Sequence, residues 1–195
     1  MRGPPGRGPG AGGGGGGPAG GGGGGGGGGA RPGGGPPPTT AVACPTGWGS
    51  LPKTAADTSV GSLTDIRTGE HDCYDRMVFD VPTAGIEPIG YTVHYVGAFY
   101  QDPSGMRIPI SGGAIIEIRV SAPAYDPETH TATYPGRGGR LLPGVDLTGY
   151  RTFREAKFGA SFEGVTQVGL GVRARLPFRV SQLSNRLVVD VAHTW

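Results

Sequence analysis

The sequence predicts an all-β domain from about Cys44 to Trp195, built as a sandwich or a barrel. Three observations predict it. Alternating β-branched and aromatic residues recur from residue 76 onward, turn-forming residues separate the runs, and no long segment carries a helical period. Arg76 to Val81 opens the series and Tyr91 to Gly97 continues it. Ala114 to Ser121 sets Ile116, Ile118 and Val120 on one face against Ile115, Glu117 and Arg119 on the other. Phe153 to Gly159, Gly164 to Arg173, Phe178 to Leu183 and Arg186 to His193 complete the strands. Between them stand Asp102-Pro103-Ser104-Gly105, Gly112-Gly113, Glu163-Gly164 and Ser184-Asn185, all turn chemistry.

One hexamer recurs. Arg76-Met77-Val78-Phe79-Asp80-Val81 returns as Arg186-Leu187-Val188-Val189-Asp190-Val191, with Arg, Val, Asp and Val in register. Met77, Phe79 and Val81 share one strand face, and Asp80 lies opposite with Val78. Two equivalent strands of a pseudo-symmetric sandwich, one in each sheet, are expected. Arg76, Asp80, Arg186 and Asp190 are expected to form structural pairs at the strand starts, with carboxylate capture as their functional alternative.

Ahead of the domain, residues 1–40 form a separate low-complexity segment, almost wholly Gly and Pro up to residue 38. With no large apolar side chain beyond Met1, burial cannot offset the entropy of ordering, so disorder is expected. Ala41-Val42-Ala43 matches the small-x-small pattern of a signal-peptidase site, yet glycines replace the apolar run that should precede it. A wrong start or shifted reading frame over a true signal peptide accounts for this, and the expected location is then extracytoplasmic. A genuine low-complexity tail is the alternative.

The formal charge is +2, and Arg2, Arg7 and Arg31 of the tail supply three of the positive charges, so the remainder carries −1. That balance argues against nucleic acid as a partner. No apolar run is long enough to be a transmembrane span.

Cys44 and Cys73 are the two cysteines, an even count that favours a disulfide in an exported chain. Lipidation of Cys44 in a degenerate lipobox, and two unpaired thiols, are the alternatives. His71, Asp72 and Asp75 stand close in sequence but lack the second cluster a metal site needs, so no metal is expected. The sequence has no Gly-x-Ser-x-Gly elbow, and Gly169-Leu170-Gly171 lacks the rest of a dinucleotide fingerprint, so neither a catalytic residue nor a cofactor is expected. The connection from Ala122 to Thr152 is long, rich in Pro and Gly, and chemically varied. Within it, Tyr125 and Tyr134 suit sugar faces and Arg137 and Arg140 suit carboxylates, which makes these four the candidate ligand residues.

The opening Cys44-Pro45-Thr46-Gly47-Trp48-Gly49-Ser50-Leu51 and the run Ile66-Arg67-Thr68-Gly69-Glu70-His71-Asp72-Cys73-Tyr74-Asp75-Arg76-Met77-Val78-Phe79 resemble the start of an AMIN-like domain. Pro177-Phe178-Arg179-Val180 and Arg186-Leu187-Val188-Val189-Asp190-Val191-Ala192-His193 resemble that family's end, so the resemblance spans residues 44–195. The family is found in exported actinobacterial proteins and lipoproteins. The resemblance implies a β-sandwich of two similar antiparallel sheets. It also implies a non-catalytic cell-envelope module that binds peptidoglycan or an envelope protein partner. A small extracytoplasmic hydrolase and a purely structural or oligomerising domain are the rival readings.

Overall fold

The computed structural model describes residues 43–56, 61–82 and 87–195. The expected disordered segment, and Ala41 and Val42 of the cleavage pattern, lie outside the described residues. Among the described residues the chain forms eleven strands: β1 (Lys53–Ala55), β2 (Asp65–Glu70), β3 (Tyr74–Asp80), β4 (Tyr91–Val96), β5 (Phe99–Gln101) and β6 (Met106–Ile108), then β7 (Ala114–Val120), β8 (Phe153–Phe162), β9 (Val165–Val172), β10 (Phe178–Gln182) and β11 (Arg186–Ala192). No helix among them is long and apolar enough to cross a membrane.

Two antiparallel sheets make the sandwich, one ordered β1-β4-β7-β9-β8 and the other β10-β11-β3-β2, with β5 and β6 forming a separate hairpin. Alternation decides what lies between them. Met77, Phe79, Leu187, Val189 and Val191 are fully buried from the four-stranded side, and Val93, Ile116, Ile118, Val168 and Leu170 from the five-stranded side. Each such side chain contributes about 1.5–3 kcal/mol by leaving water, so these faces fix the layering.

The repeated hexamers behave differently from expectation. They do not sit one in each sheet; β3 and β11 are antiparallel neighbours in the four-stranded sheet, with Arg76 opposite Asp190 and Asp80 opposite Arg186. Running the same pattern antiparallel to itself places each arginine against the other copy's aspartate. Attraction between opposite charges across a strand pair favours that arrangement. The short strands β1, β2, β5 and β6 have little alternation to announce them; β2 holds one buried apolar residue, Ile66.

The long connection from Ala122 to Thr152 contains no named strand, yet it is tied down along its length. Its residues 139–142 pair with β8, where Gly139 N–H donates to the Phe158 carbonyl at 2.8 Å and Phe158 N–H to that of Arg140 at 2.9 Å. This covers an edge that would otherwise be open to other chains. Gly169 is a point of close approach: a Cβ there would stand 2.7 Å from the Phe99 ring of the β5–β6 hairpin, so only glycine admits that hairpin onto the sheet.

Two covalent or ionic fastenings secure the end of the sandwich near Tyr74. Cys44 and Cys73 form a disulfide with Cα atoms 5.3 Å apart, closing a loop of 29 residues. Such a loop is worth about 3–4 kcal/mol of unfolded-state entropy. Beside it, fully buried Asp75 accepts the N–H groups of Thr152 at 2.6 Å and Phe153 at 2.9 Å through one oxygen. Its other oxygen faces His193 Nε2 at 2.9 Å, while His193 Nδ1 faces the Asp72 carbonyl at 3.2 Å. Both ring nitrogens thus lie within hydrogen-bond reach of protein oxygens, which fixes the orientation of the imidazole.

Replacing His193 by alanine leaves the Asp75 carboxylate buried against fewer partners, which costs about 3–5 kcal/mol. A urea unfolding curve should show that drop as a lower midpoint at unchanged slope. A loss below about 1 kcal/mol would mean that the pair does not hold this end together.

Candidate functional site

On the outward face of the four-stranded sheet, polar side chains gather in two stations. In the first, Arg76 grips Asp190 through Nε at 2.6 Å and Nη2 at 2.9 Å, and Arg179 adds an Nε contact at 2.8 Å. In the second, Arg67 grips Asp80 through Nε at 2.6 Å and Nη2 at 2.9 Å, and Arg186 adds Nε at 2.9 Å. Four residues of strand separate the two, about 13 Å. Each carboxylate therefore orients two guanidinium planes, and this crossed pairing is what the repeated Arg-x-x-x-Asp spacing produces.

The stations differ in surroundings. Asp65 stands 3.8 Å from Arg67 and offsets the surplus positive charge of the second station. The first has no such rim carboxylate among the described residues, so two cations surround one anion. Asp190 is fully buried there although it points outward, and bonding to it holds the Arg76 guanidinium above its usual pKa. Arg179 keeps both terminal nitrogens without a partner among the described residues, while its guanidinium lies 4.4 Å from the Trp48 ring centre. Tyr74 stands 5.5 Å from Trp48, and His71 stacks on Tyr74 at 4.6 Å.

Trp48 reaches this place because the disulfide fastens its segment. Cys44 to Gly49 runs as a strap over the sheet end, and Gly49 contributes its carbonyl to Phe178 N–H at 2.9 Å. Beneath the strap lies a cavity of about 240 Å³ lined by Trp48, Trp195, Pro45, Pro177, Ala192 and the disulfide. Ala192 sits two residues beyond Asp190 on the same strand face, so cavity and arginine pair adjoin. An indole-walled recess beside paired guanidiniums suits a ligand with a ring and a carboxylate.

Of the four expected ligand residues, Tyr125 and Tyr134 line a different cavity, of about 430 Å³, whereas Arg137 and Arg140 are exposed and lie outside its lining. The Tyr134 ring is buried in the core cluster, and burial pushes its hydroxyl far above the ordinary phenol range. Trp48, Tyr74, Arg179 and Trp195 carry no expectation from the sequence. Arg179 had a usable signal, since a hairpin turning at Ser184-Asn185 places it opposite Asp190. The strap's approach to the sheet had one as well, since a Cys44–Cys73 bridge anchors the segment that carries Trp48 to β3.

His71, Asp72 and Asp75 do not converge: His71 stacks on Tyr74 while Asp75 points into the interior. Among the described residues no group of three or more His, Cys, Asp or Glu could hold a metal ion. Asp75 and His193 form a buried pair, and both imidazole nitrogens face protein oxygens.

The arginine contacts make one station sensitive to acid. Hydrogen bonding from Arg67 holds the Asp80 carboxyl below the usual carboxylate range. A lowered folded-state pKa contributes stability above the unfolded value, lost as pH falls through the folded one. The melting-temperature gap between wild type and Asp80→Asn should therefore be widest near neutrality and narrow below about pH 4. A gap independent of pH would refute the assignment.

No curated protein and no solved structure matches the chain. The AMIN-like domain family matches residues 61–193, a span that holds both stations and begins after the strap. AMIN-like domains occur in periplasmic and envelope proteins and are in general non-catalytic binding or structural domains. With that match covering most of the chain and a two-sheet antiparallel fold to accompany it, the protein belongs to the AMIN-like domain family.

Proposed function

We propose that this domain is a non-catalytic, extracytoplasmic envelope module that binds peptidoglycan at the strap end of its four-stranded sheet. The observation that carries the reading is the Arg76–Asp190–Arg179 station set against Trp48 and Tyr74. Peptidoglycan presents sugar rings and carboxylates within short reach of one another. The indoles suit the ring faces, and Arg179 has outward N–H groups to offer a carboxylate. Asp190 holds both guanidiniums in place beforehand, so little side-chain entropy remains to be lost on binding. The disulfide supports a place outside the reducing cytoplasm.

An envelope protein with an acidic, aromatic-bearing segment is the second reading, favoured by exposed Trp195 at the rim of the same cavity. The full chain incubated with purified peptidoglycan sacculi should sediment with them. Arg179→Ala and Trp48→Ala should each lower retention about tenfold, the loss of one charge-assisted contact or one aromatic plate. Wild-type protein that stays in the supernatant would sink the polymer reading, and retention untouched by both substitutions would move it off this face.

A further inference from the structure

At the other end of the sandwich the long connection builds a recess with different chemistry. The geometry points to a binding site for a single ring of a neutral sugar, a pyranose without carboxylate or phosphate, between Tyr125, His130, Tyr134, Phe158 and Ser161. The recess encloses about 430 Å³, within the roughly 300–1,000 Å³ of small-molecule sites. Its lining holds no carboxylate, ammonium or guanidinium. An anion entering it would meet the His130 imidazole but none of the fixed cations that line the strap end.

What the lining does hold is flat rings interleaved with a few polar atoms. Tyr125 and His130 have ring centres 6.5 Å apart, and Tyr134 and Phe158 6.0 Å apart. Ser161 Oγ accepts the Ala124 N–H at 2.8 Å, and its own hydrogen donates to no described residue. The Tyr125 hydroxyl and the His130 ring likewise have no hydrogen-bond partner among the described residues. A purely apolar guest would cover those groups without satisfying them. A pyranose brings C–H faces for the Tyr125 and His130 rings, which reach the surface while Tyr134 and Phe158 form the buried floor, and it brings hydroxyls for the polar atoms.

The recess is also built at some cost. His130 has φ 57°, a left-handed conformation that disfavours a side-chain-bearing residue by roughly 1–2 kcal/mol. Asp126 enforces it, accepting the N–H groups of Glu128 at 2.9 Å and Thr129 at 2.8 Å while its carbonyl takes that of His130 at 2.8 Å. The effect is to hold the imidazole beside Tyr125. Gly136 lies flat on the Phe158 ring, where any Cβ would collide with it.

This site does not depend on the peptidoglycan reading. Ser62 and Thr133 anchor its loop ahead of β2, at the Asp80 end of β3, and β3 places the Tyr74 end about 20 Å away. The test is an amide chemical-shift titration of the full-length chain with three probes: an N-acetylglucosamine tetramer, maltotetraose and indole. Saturable shifts centred on residues 124–136 are expected with one or both sugars, and the two arms distinguish an acetamido from a plain hydroxyl preference. His130→Gly, which tolerates the left-handed backbone, should weaken binding about three- to tenfold, and Tyr125→Leu at least as much. Arg179→Ala should leave it unchanged. Shifts with indole alone would reassign the recess to an apolar side chain of a partner, and shifts with none of the three would overturn the proposal.

Discussion

The antiparallel pairing of β3 with β11 joins residues more than a hundred positions apart, and the rest of the domain is arranged around it. Its inner face supplies Met77, Phe79, Leu187, Val189 and Val191 to the core, and its outer face supplies both aspartates. A slip of one residue would expose Phe79 and drive Arg76 inward, which burial energies forbid. A slip of two would keep the faces but separate Arg76 from Asp190 and Arg186 from Asp80. Asp190, fully buried on an outward-facing position, would then keep only the single Nε contact of Arg179 and lose its two-pronged partner. Hydrophobic alternation therefore chooses the face, and the crossed ion pairs choose the register.

From that centre the two ends of the sandwich are closed by unlike means. At the Tyr74 end, a disulfide and the Asp75–His193 pair bind the strap, the end of the long connection and the chain terminus together. At the Asp80 end, Thr133 donates to the Leu63 carbonyl at 2.7 Å and Leu63 N–H to that of Pro123 at 2.8 Å, so hydrogen bonds and the buried Tyr134 ring seat the connection without a covalent link. Both ends carry preset guanidiniums, and the Asp80 end adds a recess whose lining holds no carboxylate, ammonium or guanidinium. Paired guanidinium contacts depend on the direction of their N–H groups, and a rigid anchor fixes that direction.

The seven strongest strands were legible in the sequence because each buries alternate side chains, which writes a period of two into the residues. Strands β1, β5 and β6 are three residues each, too short for any period, and β2 is an edge with one buried apolar position. The repeated hexamer was visible, but its placement in opposite sheets was an inference from symmetry that cross-strand charge pairing overturned. The disulfide followed from the cysteine count. In the long connection, residue types drew notice to Tyr125 and Tyr134, and both line one recess. Composition could not show that Arg137 and Arg140 stay outside it, because side-chain direction in an irregular segment depends on tertiary contacts. The cysteine pair made the anchoring of the Trp48 segment to β3 legible, but not its rest over Arg179, which the sheet beneath also sets.

The two sheets are alike on their inner faces and unlike on their outer ones, and that asymmetry decides where a partner can approach. The outward side of the five-stranded sheet is occupied by the chain itself. Phe99 seats the β5–β6 hairpin on Gly159 and Gly169, and Gln167 beneath it is spent on the Tyr100 carbonyl at 2.8 Å and Glu117 at 2.9 Å. Arg119 there is balanced by both Asp102 and Glu117, so its charge is fully answered. No comparable hairpin lies over the four-stranded sheet among the described residues; only the strap reaches across one end of it, and there two guanidiniums share a single carboxylate. The duplicated strand pattern thus gives the four-stranded sheet an apolar inner face and an outer face of crossed ion pairs, and the strap adds to that outer face the aromatic walls which the repeated hexamers themselves lack.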